Sequence, residues 1–187
     1  MLEEERVAAI LDAAYICFTR HGVRRTTMDD IARQAGMSRP AVYQYVRNKE
    51  DAFRRLAERL LGDTLHEATL AAGGPGSLTE RLSGALACKL ALVARLWQDS
   101  PAHAAELLGP DSRLSADKIE LFDGAMRELL ASVLAAEHPH SDVASLAEIL
   151  LAFTRGLETG VHGPRSTESL LRDGVALITT GIDGYRP

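Results

Sequence analysis

The chain has 187 residues, of which 46% are hydrophobic and 25% charged, and its formal net charge is −5. This composition implies a folded core and excludes a low-complexity chain. No run approaches the roughly 18 uninterrupted apolar residues of a membrane span, and two cysteines (Cys17 and Cys88) with no CxxC pair exclude a disulfide framework and point to buried thiols in a reducing cytosol.

The N-terminus, MLEEERVAAI, is acidic and has no apolar stretch of signal length, so a cytoplasmic protein is expected. Net charge alone argues against nucleic acid, but the distribution of charge does not. Arg20 to Lys49 contains seven basic residues and two acidic ones, a local charge of +5 that leaves −10 on the remainder. A basic segment on an acidic body suggests one nucleic-acid surface and a body with another task.

Glu3 to His21 has the spacing of an amphipathic helix, with Val7, Ile10, Leu11, Ala14, Tyr15 and Phe18 on one face and Gly22 at its end. Thr27 with Asp30 fits the capping box of a second, short helix to Gln34. Gly36 breaks the chain where positive φ is wanted. Ser38 caps a third helix to Val46, with Pro40 in its first turn, where a missing N–H costs little. Asn48 caps a fourth, from Lys49 to about Ala71. Two short helices joined by a Gly-containing turn, the second carrying polar and aromatic side chains, predict a helix-turn-helix.

Gly73 to Ser77 is the strongest loop signal in the chain. Ser77 caps a helix running to Trp97, and Pro101 to Leu108 allows at most a short one before Gly109-Pro110-Asp111. Helices follow over Ser115 to Glu137, Ser141 to about Gly160, and Thr167 to Ile182. No alternating run of strand length is present. The expected fold is all-α, with about nine helices.

Thr26-Thr27-Met28-Asp29-Asp30-Ile31-Ala32, Gly36-Met37-Ser38 and Ala41-Val42-Tyr43-Gln44-Tyr45-Val46, followed by Asn48-Lys49-Glu50-Asp51, resemble the second helix, the turn and the recognition helix of the tetracycline-repressor (TetR) family of transcription regulators. The resemblance covers about the first quarter of the chain. One position departs from it: Val46 stands where the family usually has Phe, and Phe53 stands where it often has Leu, which suggests a compensated core change. The resemblance implies a helix-turn-helix DNA-binding domain over 1–49 and an effector-binding and dimerisation domain over 50–187. It implies double-stranded operator DNA, a small-molecule effector and a second copy of the chain as partners, with no cofactor.

By helical spacing and by this resemblance, Arg39, Ala41, Gln44 and Tyr45 are the candidates for the major groove. Arg39 suits guanine and Gln44 adenine; solvated polar positions are the plainer alternative. Ser38 is placed with this surface. Tyr43 divides between a phosphate contact and the core. Thr27 is first a cap, and in the family also meets a phosphate. Lys49 opens a helix where a cation fits the dipole poorly, which a phosphate would explain, with plain solvent exposure as the alternative. Arg24 and Arg25 are phosphate or minor-groove contacts, or a solvated pair.

For the effector, Trp97, Phe122, Met126 and Phe153 are apolar candidates, with Cys88, Arg95, His103 or Glu106 for polarity. For the dimer, Ala152, Gly156 and Gly160 recur every four residues, and Gly174, Ile178 and Gly181 lie on the last helix. Ordinary packing within the chain explains each of these equally well, taken singly. Two rivals remain. A partner-binding protein with a vestigial helix-turn-helix is opposed by the basic segment. An enzyme is opposed by the lack of a third metal ligand near His103 and Glu106 or His138 and His140, of a phosphate-loop lysine after Gly73 to Ser77, and of any GxSxG.

Overall fold

The computed structural model describes residues 3–103, 115–158 and 165–182. Among them the chain forms eight helices and no strand: α1 (Glu3–Arg25), α2 (Met28–Gln34), α3 (Arg39–Tyr43), α4 (Lys49–Ala72), α5 (Leu78–Asp99), α6 (Ala116–Glu137), α7 (Val143–Glu158) and α8 (Thr167–Gly181). The all-α class is as expected. Of the short helix expected at 101–108, residues 101–103 form a turn and the rest lies outside the described residues, as do Glu106 and Gly160.

Local chemistry sets the N-terminal boundaries. Gly22 takes φ 76° and ψ 157°, so α1 breaks there, before its last residues. The buried Thr26 hydroxyl answers this break by donating to the carbonyls of Gly22 and Cys17, at 2.8 and 3.1 Å. Thr27 and Asp30 form the expected capping box at the start of α2. At its end Gly36, with φ 66°, donates to Arg33 and Met37 donates to Ala32. This pair of bonds is a Schellman stop. The recognition helix is shorter than its spacing predicts. After Tyr43 the N–H groups of Gln44 and Tyr45 bond three residues back, to Ala41 and Val42, and the chain tightens into a turn.

By contacts the chain divides into two compact units. The first contains Met1–Leu61 together with Arg95–Glu120. Its core packs Ile10, Phe18, Ile31, Val42, Val46 and Phe53, with the rings of Phe18 and Phe53 edge to face at 5.7 Å. Val46 is fully buried in the same cluster as Phe53. Residues beyond the helix-turn-helix complete the unit. Ser100, buried at the end of α5, donates to the Thr19 carbonyl at 2.8 Å, and the Tyr15 hydroxyl donates to Asp99. In the first turn of α6, Asp117 receives both ends of the Arg54 guanidinium at 3.2 and 2.7 Å, and Lys118 pairs with Glu58 at 3.1 Å.

The second unit contains Gly62–Ala94 and Leu121–Pro187. Leu82 and Leu86 of α5, Met126, Leu130 and Leu134 of α6, and Leu150 and Leu151 of α7 are fully buried. Lys89 of α5 is also buried, and its ammonium pairs with Glu158 of α7. α7 and α8 pack on one another. Gly174 gives room to the Phe153 ring, which a Cβ at that position would approach to 2.2 Å.

Candidate nucleic-acid interface

The helix-turn-helix presents a compact group of exposed side chains. Ser38 caps α3, its hydroxyl accepting from the Ala41 N–H at 3.3 Å, and Ala41 is half-buried behind it. Arg39 and Tyr43 are exposed one turn apart. The Arg39 guanidinium lies 5.5 Å from the Tyr43 ring centroid, donates to the Tyr43 hydroxyl at 3.4 Å, and pairs with Asp29 of α2 at 3.4 Å. Asp29 escaped the sequence reading because its role follows from the angle between two helices, which spacing along one helix does not encode. Gln44 is exposed, with its amide uncommitted among the described residues. Beneath this group Val42 and Val46 are buried, so the exposed side chains stand on a packed base.

Tyr45 is placed differently. Its ring is half-buried against the core, and its hydroxyl accepts from Arg6 of α1 at 3.0 Å. Arg6 was not legible in the sequence, since nothing in the pattern pairs positions 39 residues apart. Thr27 is exposed in its capping box, and its hydroxyl and N–H, both donating to the Asp30 carboxylate, hold that carboxyl below the usual carboxylate range. Arg25 is exposed. Lys49 has a partner that explains its position: its ammonium donates to the Arg24 carbonyl at 3.0 Å, across to the end of α1. A cation at the start of α4 is thus a cap for the end of α1.

The six effector candidates do not come from one unit. Trp97, 45% exposed, and His103 belong to the first; Cys88, Phe122, Met126 and Phe153 belong to the second. Phe122 and Met126 are buried in α6, and Phe153 is half-buried over Gly174. The half-buried Cys88 thiol donates to the Gly84 carbonyl at 3.4 Å, and burial pushes its pKa up. A surface groove in the first unit is lined by Glu3, Glu4, Val7, Ala8, Leu11 and Arg59, none of them among the candidates. Of the dimer candidates, Ala152 and Gly156 are exposed on α7, Ile178 is half-buried on α8, and Gly174 faces Phe153. Among the described residues no three His, Cys, Asp or Glu side chains are grouped to hold a metal ion.

Residues 10–56 match the family of bacterial regulatory proteins, tetR family. The HTH-type transcriptional repressor ComR of Escherichia coli is 27% identical over 179 residues, covering 88% of this chain and 83% of its own length. Among solved structures, a TetR-like transcriptional regulator from Rhodococcus sp. RHA1 superposes with a TM-score of 0.66 at 25% identity, covering 97% of both chains. SmeT in its triclosan complex superposes with a TM-score of 0.68 at 20% identity, covering 98% of this chain and 92% of SmeT. The matched segment spans the helix-turn-helix and its packed base, and the likeness to ComR and to the solved structures extends through the helices that follow. Residues 10–56 are a DNA-binding segment of the tetR-family type, and the protein is a DNA-binding regulator of transcription.

Proposed function

We propose that the protein is a dimeric cytoplasmic repressor that binds a palindromic operator and is released from it by a small apolar molecule. The observation that carries the DNA-reading part is the exposed set Arg39, Tyr43 and Gln44 above buried Val42 and Val46. In this reading Arg39 and Gln44 meet base edges, with Ala41 beside them. Thr27, Ser38, Tyr43, Lys49 and Arg25 meet phosphates, and Tyr45, expected in the major groove, is reassigned to a phosphate because its ring is half-buried on the core and its hydroxyl is held by Arg6. Lys49 spends one of its three N–H donors on Arg24 and keeps two for DNA.

A single helix-turn-helix binds weakly, and two-fold dimers read palindromes. An apolar strip of exposed Ile149, Ala152 and Gly156 on α7, with Leu177 on α8, supports these helices as the dimer contact. The triclosan bound to SmeT supports an apolar effector. Cys88, Phe122, Met126 and Phe153 are its proposed lining in this chain. α4 is the proposed route between effector and operator, because its residues belong to both compact units.

The test is a mobility shift with the region upstream of the protein's own coding sequence. Saturable, salt-sensitive binding to a palindrome is expected. Gln44→Ala should alter preference at one base position, by about 1–3 kcal/mol. Lys49→Ala should weaken all sequences alike and lower the salt slope by about 0.9. If both variants bound with unchanged affinity and preference, the surface would be misassigned.

A further inference from the structure

We infer that Arg6, in the first turns of α1, is a positioning residue for operator binding: it holds the Tyr45 hydroxyl as a donor to a backbone phosphate. The inference rests on Tyr45 being an operator contact.

The geometry comes from two ends of the first unit. The Arg6 guanidinium donates to the Tyr45 oxygen at 3.0 Å. The Tyr45 ring is half-buried on the core, and its own N–H bonds to the Val42 carbonyl at 3.0 Å, so ring and backbone are both fixed. A guanidinium only donates, so Tyr45 must be the acceptor in this pair. Its phenolic proton is therefore turned away from Arg6, and no described group accepts it. A cation bonded to the phenol oxygen withdraws electron density and makes that O–H a stronger donor. The acceptor that best suits such a donor, next to a guanidinium and directly after Gln44, is an anionic oxygen. On a duplex that oxygen belongs to a phosphate.

Arg6 follows three exposed glutamates, Glu3, Glu4 and Glu5, which repel a phosphate approaching this end of α1, so its cation is needed there to offset them beside the Tyr45 hydroxyl. Its Nε is buried and makes no hydrogen bond among the described residues.

The full-length protein is titrated by fluorescence anisotropy against two labelled duplexes, its own upstream region and a scrambled sequence of equal length. Arg6→Ala and Tyr45→Phe should each weaken binding to both duplexes about 3- to 10-fold, the range of one charge-assisted hydrogen bond. The double variant should be no weaker than the weaker single one, and Arg6→Lys should recover most of the loss. Tyr45→Phe keeps the ring in the core, so its loss reports the hydroxyl and not folding. Losses that multiply in the double variant would overturn the inference, as would wild-type binding by Arg6→Ala. Gln44→Ala separates the two levels of the argument. If it changes preference while Tyr45→Phe is silent, the reading surface stands and the phosphate role of Tyr45 and Arg6 falls. If Gln44→Ala is silent as well, the surface assignment itself has failed.

Discussion

At Gly174 and Gly156 the same residue type is used for opposite reasons. A Cβ at Gly174 would lie 2.2 Å from Cζ and 2.5 Å from Cε1 of Phe153, so the ring must move or α8 must shift. Gly174→Ala should therefore destabilise the fold by about 1–3 kcal/mol, read as a lower midpoint in urea. A Cβ at Gly156 meets nothing within 4 Å. None of the described residues around it requires a glycine, and helix propensity alone favours alanine by about 1 kcal/mol. An absent side chain on an exposed helix face that already carries Ile149 and Ala152 suits the close approach of a second copy. Gly156→Leu should leave the fold intact and raise the dimer dissociation constant at least about tenfold, measured by sedimentation. An unchanged constant would remove α7 from the proposed interface. The spacing of small residues made Gly156 and Gly174 equal candidates for the dimer. Only the position of Phe153 separates them, and that depends on how α7 meets α8.

The helix-turn-helix elements were legible wherever their boundaries depend on neighbours three or four residues away. Thr27 with Asp30, Gly36, and Ser38 with Ala41 all make the bonds their spacing predicts. The end of α3 was not legible, because the turn after Tyr43 reflects where Tyr45 and Val46 must go to reach the core. The function of Lys49 as a cap on Arg24 was hidden for a related reason: the two are 25 residues apart. Local caps also make local predictions. Thr27→Ala should cost about 1 kcal/mol. The Thr27 hydroxyl and N–H lower the Asp30 carboxyl relative to the unfolded chain. The stabilising contribution is therefore complete above the unfolded carboxylate pKa and is lost as pH falls through the lower folded value. Acid titration of the melting temperature should show this loss in the wild type and a weakened one in Thr27→Ala.

Across the whole molecule, two kinds of ion pair hold helices together, and salt should tell them apart. In the first unit Arg54–Asp117 and Lys118–Glu58 tie α4 to the first turn of α6, and the Arg54 and Asp117 side chains are about half exposed. Such pairs are screened and contribute little. Asp117→Asn should lower the melting temperature by about 2 °C or less at low salt, and by nothing measurable at 1 M. In the second unit the Lys89 side chain is 9% exposed and its partner Glu158 25%. Here the surroundings are poor in water, salt reaches the pair poorly, and removing one charge strands the other. Lys89→Met should cost about 2–4 kcal/mol, with Glu158's remaining exposure favouring the lower end. Methionine keeps the length of the side chain, so lost packing is a minor part of that cost. If the penalty arises from the stranded carboxylate, Lys89→Met combined with Glu158→Leu should regain most of it, and the gain should persist at 1 M salt. A double variant as unstable as Lys89→Met alone would mean that the lysine holds α5 and α7 by packing, with the charge pair incidental.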